Sequence, residues 1–182
     1  MTRVAKTLFA LALALTVGAC PSRTEKTDGG GVLLSISDFD ELPIAVSVNG
    51  LGFVQVGRIT ISNLPKIPGG VTSSLMNVEM ESYEVTFTRA DRGTRLPVSF
   101  VRGIFGQAPV NGTYDLENAP ILGPDQLENP PLSDLLFENG GVDDETGDPR
   151  ITLNLRLRFF GRTLSGDEVA TAPATFTIEF TP

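Results

Sequence analysis

From Val32 onward, apolar and polar residues alternate in short runs, the period of a strand with one face in a core and the other in water. The clearest run is 151–159, with Ile151, Leu153, Leu155, Leu157 and Phe159 at odd positions and Thr152, Asn154, Arg156 and Arg158 between them. Phe176, Ile178 and Phe180 alternate in the same way near the C-terminus, after a turn over 161–167 that closes a hairpin. Earlier strands are predicted at Val32, Leu34 and Ile36, and at Ile44, Val46 and Val48, the second ending in Asn49-Gly50, a pair suited to tight reversal. Over 52–63 the apolar phase switches from Val54 and Val56 to Ile59 and Ile61, which predicts a bulge at Gly57. A second switch, from Val78 and Met80 to Tyr83, Val85 and Phe87, predicts a bulge or bend at Glu81-Ser82. Asp91-Arg92-Gly93 is turn chemistry, 98–105 and 112–116 are weaker strands, prolines break the chain up to Pro131, and Ser133 to Glu138 suit one helical turn. Many short strands with turns between them, and no long apolar stripe of period 3.6 after residue 20, define an all-β fold. The expectation is a single antiparallel β-sandwich.

The first twenty residues follow a different rule. Arg3 and Lys6 precede ten residues without a charge, 8–17, and then Gly18-Ala19-Cys20. A basic start, a short apolar stretch and small residues before a cut make a secretory signal peptide. Ten residues are too few to span a bilayer, which takes about 20 in a helix. Cys20 is the only cysteine, so no intrachain disulfide can form. Val17-Gly18-Ala19-Cys20 resembles the lipobox of bacterial lipoproteins. The resemblance implies that the Cys20 thiol carries a diacylglycerol, that the chain is cut before it, and that the new amino group is acylated, palmitate being the usual kind of chain. Pro21 stands where an aspartate would signal retention in the inner membrane, so the resemblance points to a lipid anchor in the outer membrane, on its periplasmic or its surface side. A secreted chain cut nearby with a free thiol is the other reading. Several acyl chains hold a protein stably where one holds it marginally.

These boundaries divide the chain into a signal peptide at 1–19, a lipidated N-terminus and polar, glycine-ended linker at 20–31, and a β-sandwich domain at 32–182. The net charge is −8, and losing Arg3 and Lys6 with the signal makes the mature form more acidic. Such a body argues against nucleic acid as a partner and against basic docking on anionic lipid. The 19 glycines and 13 prolines fit a fold with many turns.

The strand segments 57–66, 82–89 and 157–162 resemble those of uncharacterised bacterial cell-envelope lipoproteins with immunoglobulin-like or fibronectin-III-like sandwiches. The resemblance spans most of 52–181, implies no activity, and carries no catalytic residue. The bridged cysteines and core tryptophan of antibody domains are absent from this sequence.

Candidate chemistry is sparse. With no histidine in the chain, the usual general base and the commonest transition-metal ligand are missing, and no nucleophile-elbow, Walker or dinucleotide pattern occurs. No catalytic residue, metal ligand or cofactor site is assigned, and Cys20 is the one site residue. Two facing carboxylates could still serve a hydrolase. The acidic loop Asp143, Asp144, Glu145 and Asp148, with Asp38, Asp40 and Glu41 and with Asp167 and Glu168 as further clusters, offers oxygens for calcium or simply solvated charge; none has EF-hand spacing. Arg150, Arg156, Arg158 and Arg162 share one strand face and either meet an anionic sugar or headgroup or pair across strands with Glu84 or Glu179. Asn111-Gly112-Thr113 reads as a turn. The expected role is non-catalytic binding or scaffolding in the envelope, with a protein or glycan partner. A calcium-dependent carbohydrate or adhesion module is the alternative, and a carboxylate hydrolase a further one.

Overall fold

A computed structural model describes residues 29–182; Cys20 and the signal peptide lie outside the described residues. Two sheets pack face to face. The first holds β1 (Val32–Asp40), β3 (Val54–Pro65) and β6 (Gly112–Leu122), all antiparallel, in the order β1-β3-β6. The second holds β2 (Ala45–Ser47), β9 (Ala174–Thr181), β7 (Ile151–Thr163), β4 (Val78–Arg89) and β5 (Phe100–Ala108) in the order β2-β9-β7-β4-β5, with β8 (Glu168–Ala170) beside β9 along β7. β2 runs parallel to β9; every other pairing is antiparallel. The protein is an all-β sandwich, as its alternation predicts. No helix among the described residues is long and apolar enough to cross a membrane.

The core lies where the alternating phases point. Ile151, Leu153, Leu155, Leu157 and Phe159 of β7 are all buried, opposite Val56, Ile59 and Ile61 of β3, beside Tyr83, Val85 and Phe87 of β4 and Ile178 and Phe180 of β9. Burying one such side chain is worth about 1.5–3 kcal/mol. Tyr83 is fully buried, and its hydroxyl spans the two sheets to donate to the Pro120 carbonyl at 2.7 Å. Burial pushes its phenol up to about 12, against the lowering pull of Arg102.

The ladder shifts by a residue between Met80 and Ser82, where the sequence places the bulge. The bulge expected at Gly57 lies elsewhere. The buried face does change after Val56, yet the β3–β6 register runs on from Val56 to Arg58, and Asn118, between their partners, takes the left-handed conformation (φ 49°). The shifts in this sheet fall between Ile36 and Asp38 and between Val54 and Gln55. Asn49-Gly50 does make a turn, but one that leads from β2 in one sheet to β3 in the other and not through a hairpin. β6 extends to Leu122, through Pro120, well past the predicted 116. Helical turns over Leu132–Leu135 and Phe137–Asn139 occupy the segment read as one turn.

The sandwich has two distinct ends. At one, the chain enters: Gly29–Gly31 form a helical turn, the Gly31 carbonyl accepts from the Lys66 N–H at 2.9 Å, and the turn packs on β8. Gly30 sits at φ 60°, and a Cβ there would lie 2.6 Å from a Thr163 methyl, so this position requires glycine. At the other end, about 43 Å away along the 13 residues of β7, sit the 90–99 connection and the long 123–150 connection.

Candidate functional site

The distal end is organised by an arginine where an apolar residue would be expected. Tyr83, Val85 and Phe87 point inward, and the next position in that phase is Arg89 at the end of β4, with its side chain 4% exposed. Its guanidinium donates from Nε to Asp91 at 2.6 Å, and through its terminal nitrogens to Asp143 at 2.8 Å and the Arg95 carbonyl at 3.3 Å. Gly93 makes room for it, since a Cβ there would fall 2.3 Å from the guanidinium carbon. Asp143, fully buried, also accepts from the Thr146 hydroxyl at 2.8 Å and from Arg95 at 3.3 Å. Arg95 in turn pairs with the buried Asp134.

The surrounding loops are tied to the same frame. Glu145 accepts from the Thr94 N–H at 2.7 Å, the Thr94 hydroxyl at 2.5 Å and the Arg95 N–H at 3.0 Å. Asp91 accepts from the N–H groups of Gly93 and Thr152, joining the 90–99 loop to the start of β7. Beneath them, Leu127, Leu132 and Leu135 anchor the 123–150 connection in the core.

The charges reinforce one another. Burial works to raise the carboxyls of Asp143 and Asp91, but it is outweighed by hydrogen bonds from Arg89, from Thr146 to Asp143, and from backbone N–H groups, so both lie below the ordinary carboxylate range. Glu145 is lowered chiefly by the N–H of Arg95 and by Thr94. Burial works to lower Arg89 and Arg95, and their acids raise both on balance. These carboxylates are held as anions, the opposite of the tuning that a proton donor requires.

This arrangement changes the reading of the acidic loop. Asp143 is not solvated charge, and its oxygens are taken by arginines that a calcium ion would have to displace. No group of three or more acidic, histidine or cysteine side chains stands together to hold a metal among the described residues. The other clusters are likewise engaged: Asp40 pairs with Arg58 at 2.8 Å, the Asp167 carboxylate accepts from Ser165 at 2.9 Å, and Glu168 lies 3.5 Å from Arg162.

The arginine stripe divides. Arg150 lies 3.9 Å from Glu179, and Arg162 lies 3.4 Å from Glu81, so cross-strand pairing holds for these two. Arg158 is buried, donating to the Thr171 carbonyl at 3.1 Å and lying over the Phe160 ring at 5.3 Å. Arg156 is exposed. Asn111 sits in a turn at φ 61°, where β5 crosses to β6 in the other sheet.

A recess of about 520 Å³ flanks the arginine network and is lined by Ala90, Asp91, Arg92, Thr146, Asp148 and Arg150, a mixture of both charges. Another, about 270 Å³, lies beside β5 between Phe100, Arg102, Pro120 and Gln126. Among the described residues β5 is the edge of the larger sheet, paired as a strand with β4 alone, with Val101 64% and Phe105 97% exposed. Comparison with protein-family models, with curated proteins and with solved structures finds no match to this chain.

Proposed function

We propose that the protein is a lipid-anchored component of the cell envelope, held at the outer membrane through Cys20, whose β-sandwich binds or scaffolds a protein partner without catalysing a reaction. The sequence around Cys20 supports the anchor. The strand order supports the immunoglobulin-like or fibronectin-III-like reading: with β1 and β2 taken as halves of a split first strand, consecutive strands are distributed between the sheets as in that class.

The observation that carries the binding role is the open edge of β5. Soluble sandwiches usually blunt such an edge with charges, proline or a covering loop. Here Arg102 is the only charged residue of the strand, Gly103 is exposed, and at the register shift opposite Glu81 Phe105 projects into solvent. Tyr114 reaches across at its middle, its ring against Gly106 and its hydroxyl donating to the Phe105 carbonyl at 3.3 Å, and Asn63 at its end, donating to the Ala108 carbonyl at 2.9 Å. An extended segment of a partner can add to such an edge, with main-chain hydrogen bonds for affinity and a side-chain contact at Phe105 for selectivity.

The test places a photo-crosslinking residue at position 105 in the full chain in intact cells. A discrete adduct that is lost in a Gly103→Pro background supports edge binding. An absent adduct, or one unaffected by the proline, overturns it.

A further inference from the structure

We infer that the end of the sandwich where the chain enters is a membrane-contacting tip, with apolar side chains that seat in the lipid bilayer surface. This inference rests on the lipid-anchor reading. Leu33 and Leu64 face each other across the β1–β3 ladder and are both exposed. The connection that follows β3 carries Ile67, 72% exposed, Val71, 99% exposed, and Leu75, 56% exposed. Leu164 joins them from the β7–β8 turn, where its N–H donates to Asn77 and that of Ser165 to Leu75.

Leu51, Phe53, Leu96, Val98, Phe137 and Val142 are exposed at the distal end as well; such side chains mark a contact with lipid or protein, and three observations select lipid for the entry end. The first is position. Gly29–Gly31, where the described chain begins, pack on this same end. The second is reach. Nine residue steps separate Cys20 from Gly29, at most about 30 Å even fully extended. The domain is about 43 Å long, so the tether is too short for the protein to stand on its opposite end. The third is charge. Over 64–77 Lys66 is the only charged residue, 109–111 has none and the 163–167 turn adds only Asp167, whereas 123–150 carries eight acids against Arg150. An anionic leaflet would repel the distal end and leave the tip unopposed.

The experiment uses full-length protein purified from membranes with its native N-terminus. The chain has no tryptophan, so Val71→Trp and Phe137→Trp each introduce a single indole, at the tip and at the exposed distal end respectively. Each variant is placed in phosphatidylethanolamine and phosphatidylglycerol vesicles with and without brominated acyl chains, and a parallel sample is partitioned between detergent and water. The inference requires the indole at 71 to lose most of its emission to brominated lipid and that at 137 to keep it. A vesicle-bound protein with an unquenched indole at 71, or with equal quenching at both positions, overturns the tip and leaves the anchor standing. A blue-shifted but unquenched indole at 71 assigns the tip to a protein contact and also overturns it. If the native protein stays in the aqueous phase, anchor and tip fall together.

Discussion

The two ends of the sandwich are built on opposite principles. At the distal end, buried charge holds the loops: Arg89 and Asp143 are shielded from solvent and locked to Asp91, Arg95, Asp134 and Glu145. At the entry end, the loops are joined by backbone hydrogen bonds and by neutral side chains: the Asn63 amide donates to the carbonyls of Met76 at 3.0 Å and Ala108 at 2.9 Å, and the Asn77 side-chain oxygen accepts from the Val110 N–H at 2.9 Å. Both ends leave apolar side chains outside, Leu96, Val98, Phe137 and Val142 at the distal end and Ile67, Val71 and Leu75 at the entry end. The difference lies in what holds the loops: buried ion pairs fix one end, and neutral hydrogen bonds join the other.

The largest effect should follow from opening the distal network. Asp143→Asn takes from the buried Arg89 one of its two counter-charges and leaves Asp91, a loss of up to about 3 kcal/mol in urea unfolding. Replacing the pair together, Arg89→Met with Asp143→Leu, should cost less, because the most deeply buried charges go as a unit while Asp91, which loses Arg89, keeps the N–H groups of Gly93 and Thr152 and Arg95 keeps Asp134. A double variant as unstable as the single one would mean that the loops depend on hydrogen bonds and not on charge pairing. The same network predicts the acid response. Asp91 and Asp143 have folded-state values below their unfolded ones, so the native state binds fewer protons. Their contribution is complete above the ordinary carboxylate value near 4 and is lost as pH falls below it, through the depressed values. The melting temperature should drop over that window, and less steeply in Asp143→Asn. Equal slopes in the two proteins would remove the distal network as the source.

Much of the fold was legible because period two is a local signal. The odd residues of β7 are all buried, and the bulge at Glu81-Ser82 follows from a change of phase. What alternation cannot carry is pairing: β2 joins β9 across most of the chain, and Asn49-Gly50 joins two sheets instead of two hairpin strands. The site was harder to read. The acidic loop stood out in the sequence, and its Asp144, Glu145 and Asp148 are exposed as solvated charge would be, but Asp143 is buried against arginines some 50 residues away. One signal was available: Arg89 continues the inward phase of Tyr83, Val85 and Phe87, and a cation on an inward face demands a buried acid. The sequence did not say which acid. Arg158 shows the reverse error, since an outward phase promised exposure and the Thr171 segment folds over it.

A smaller effect should appear at the entry end on removing its polar pin. Asn63→Ala leaves the Met76 and Ala108 carbonyls without their donor, and each buried acceptor so orphaned costs about 1–3 kcal/mol. The consequence should also be local. Amide exchange should quicken around 74–77 and 108–112 and remain slow around Arg89 and Asp143. Uniform acceleration would show that the two ends are one cooperative unit.

The smallest effect is the most discriminating. If Ile67 and Val71 contribute nothing to packing, then Ile67→Ser with Val71→Ser should change unfolding stability in water by no more than about 0.5 kcal/mol. A larger loss would make these side chains part of the fold. A near-zero change, set beside the loss for Asp143→Asn, would separate residues that hold the structure from residues that the structure holds out. Leu33 and Leu64 provide the control within the same end: their cross-strand contact is worth about 0.2–1 kcal/mol, so Leu64→Ser should register in the same urea titration that the double serine variant leaves almost unmoved.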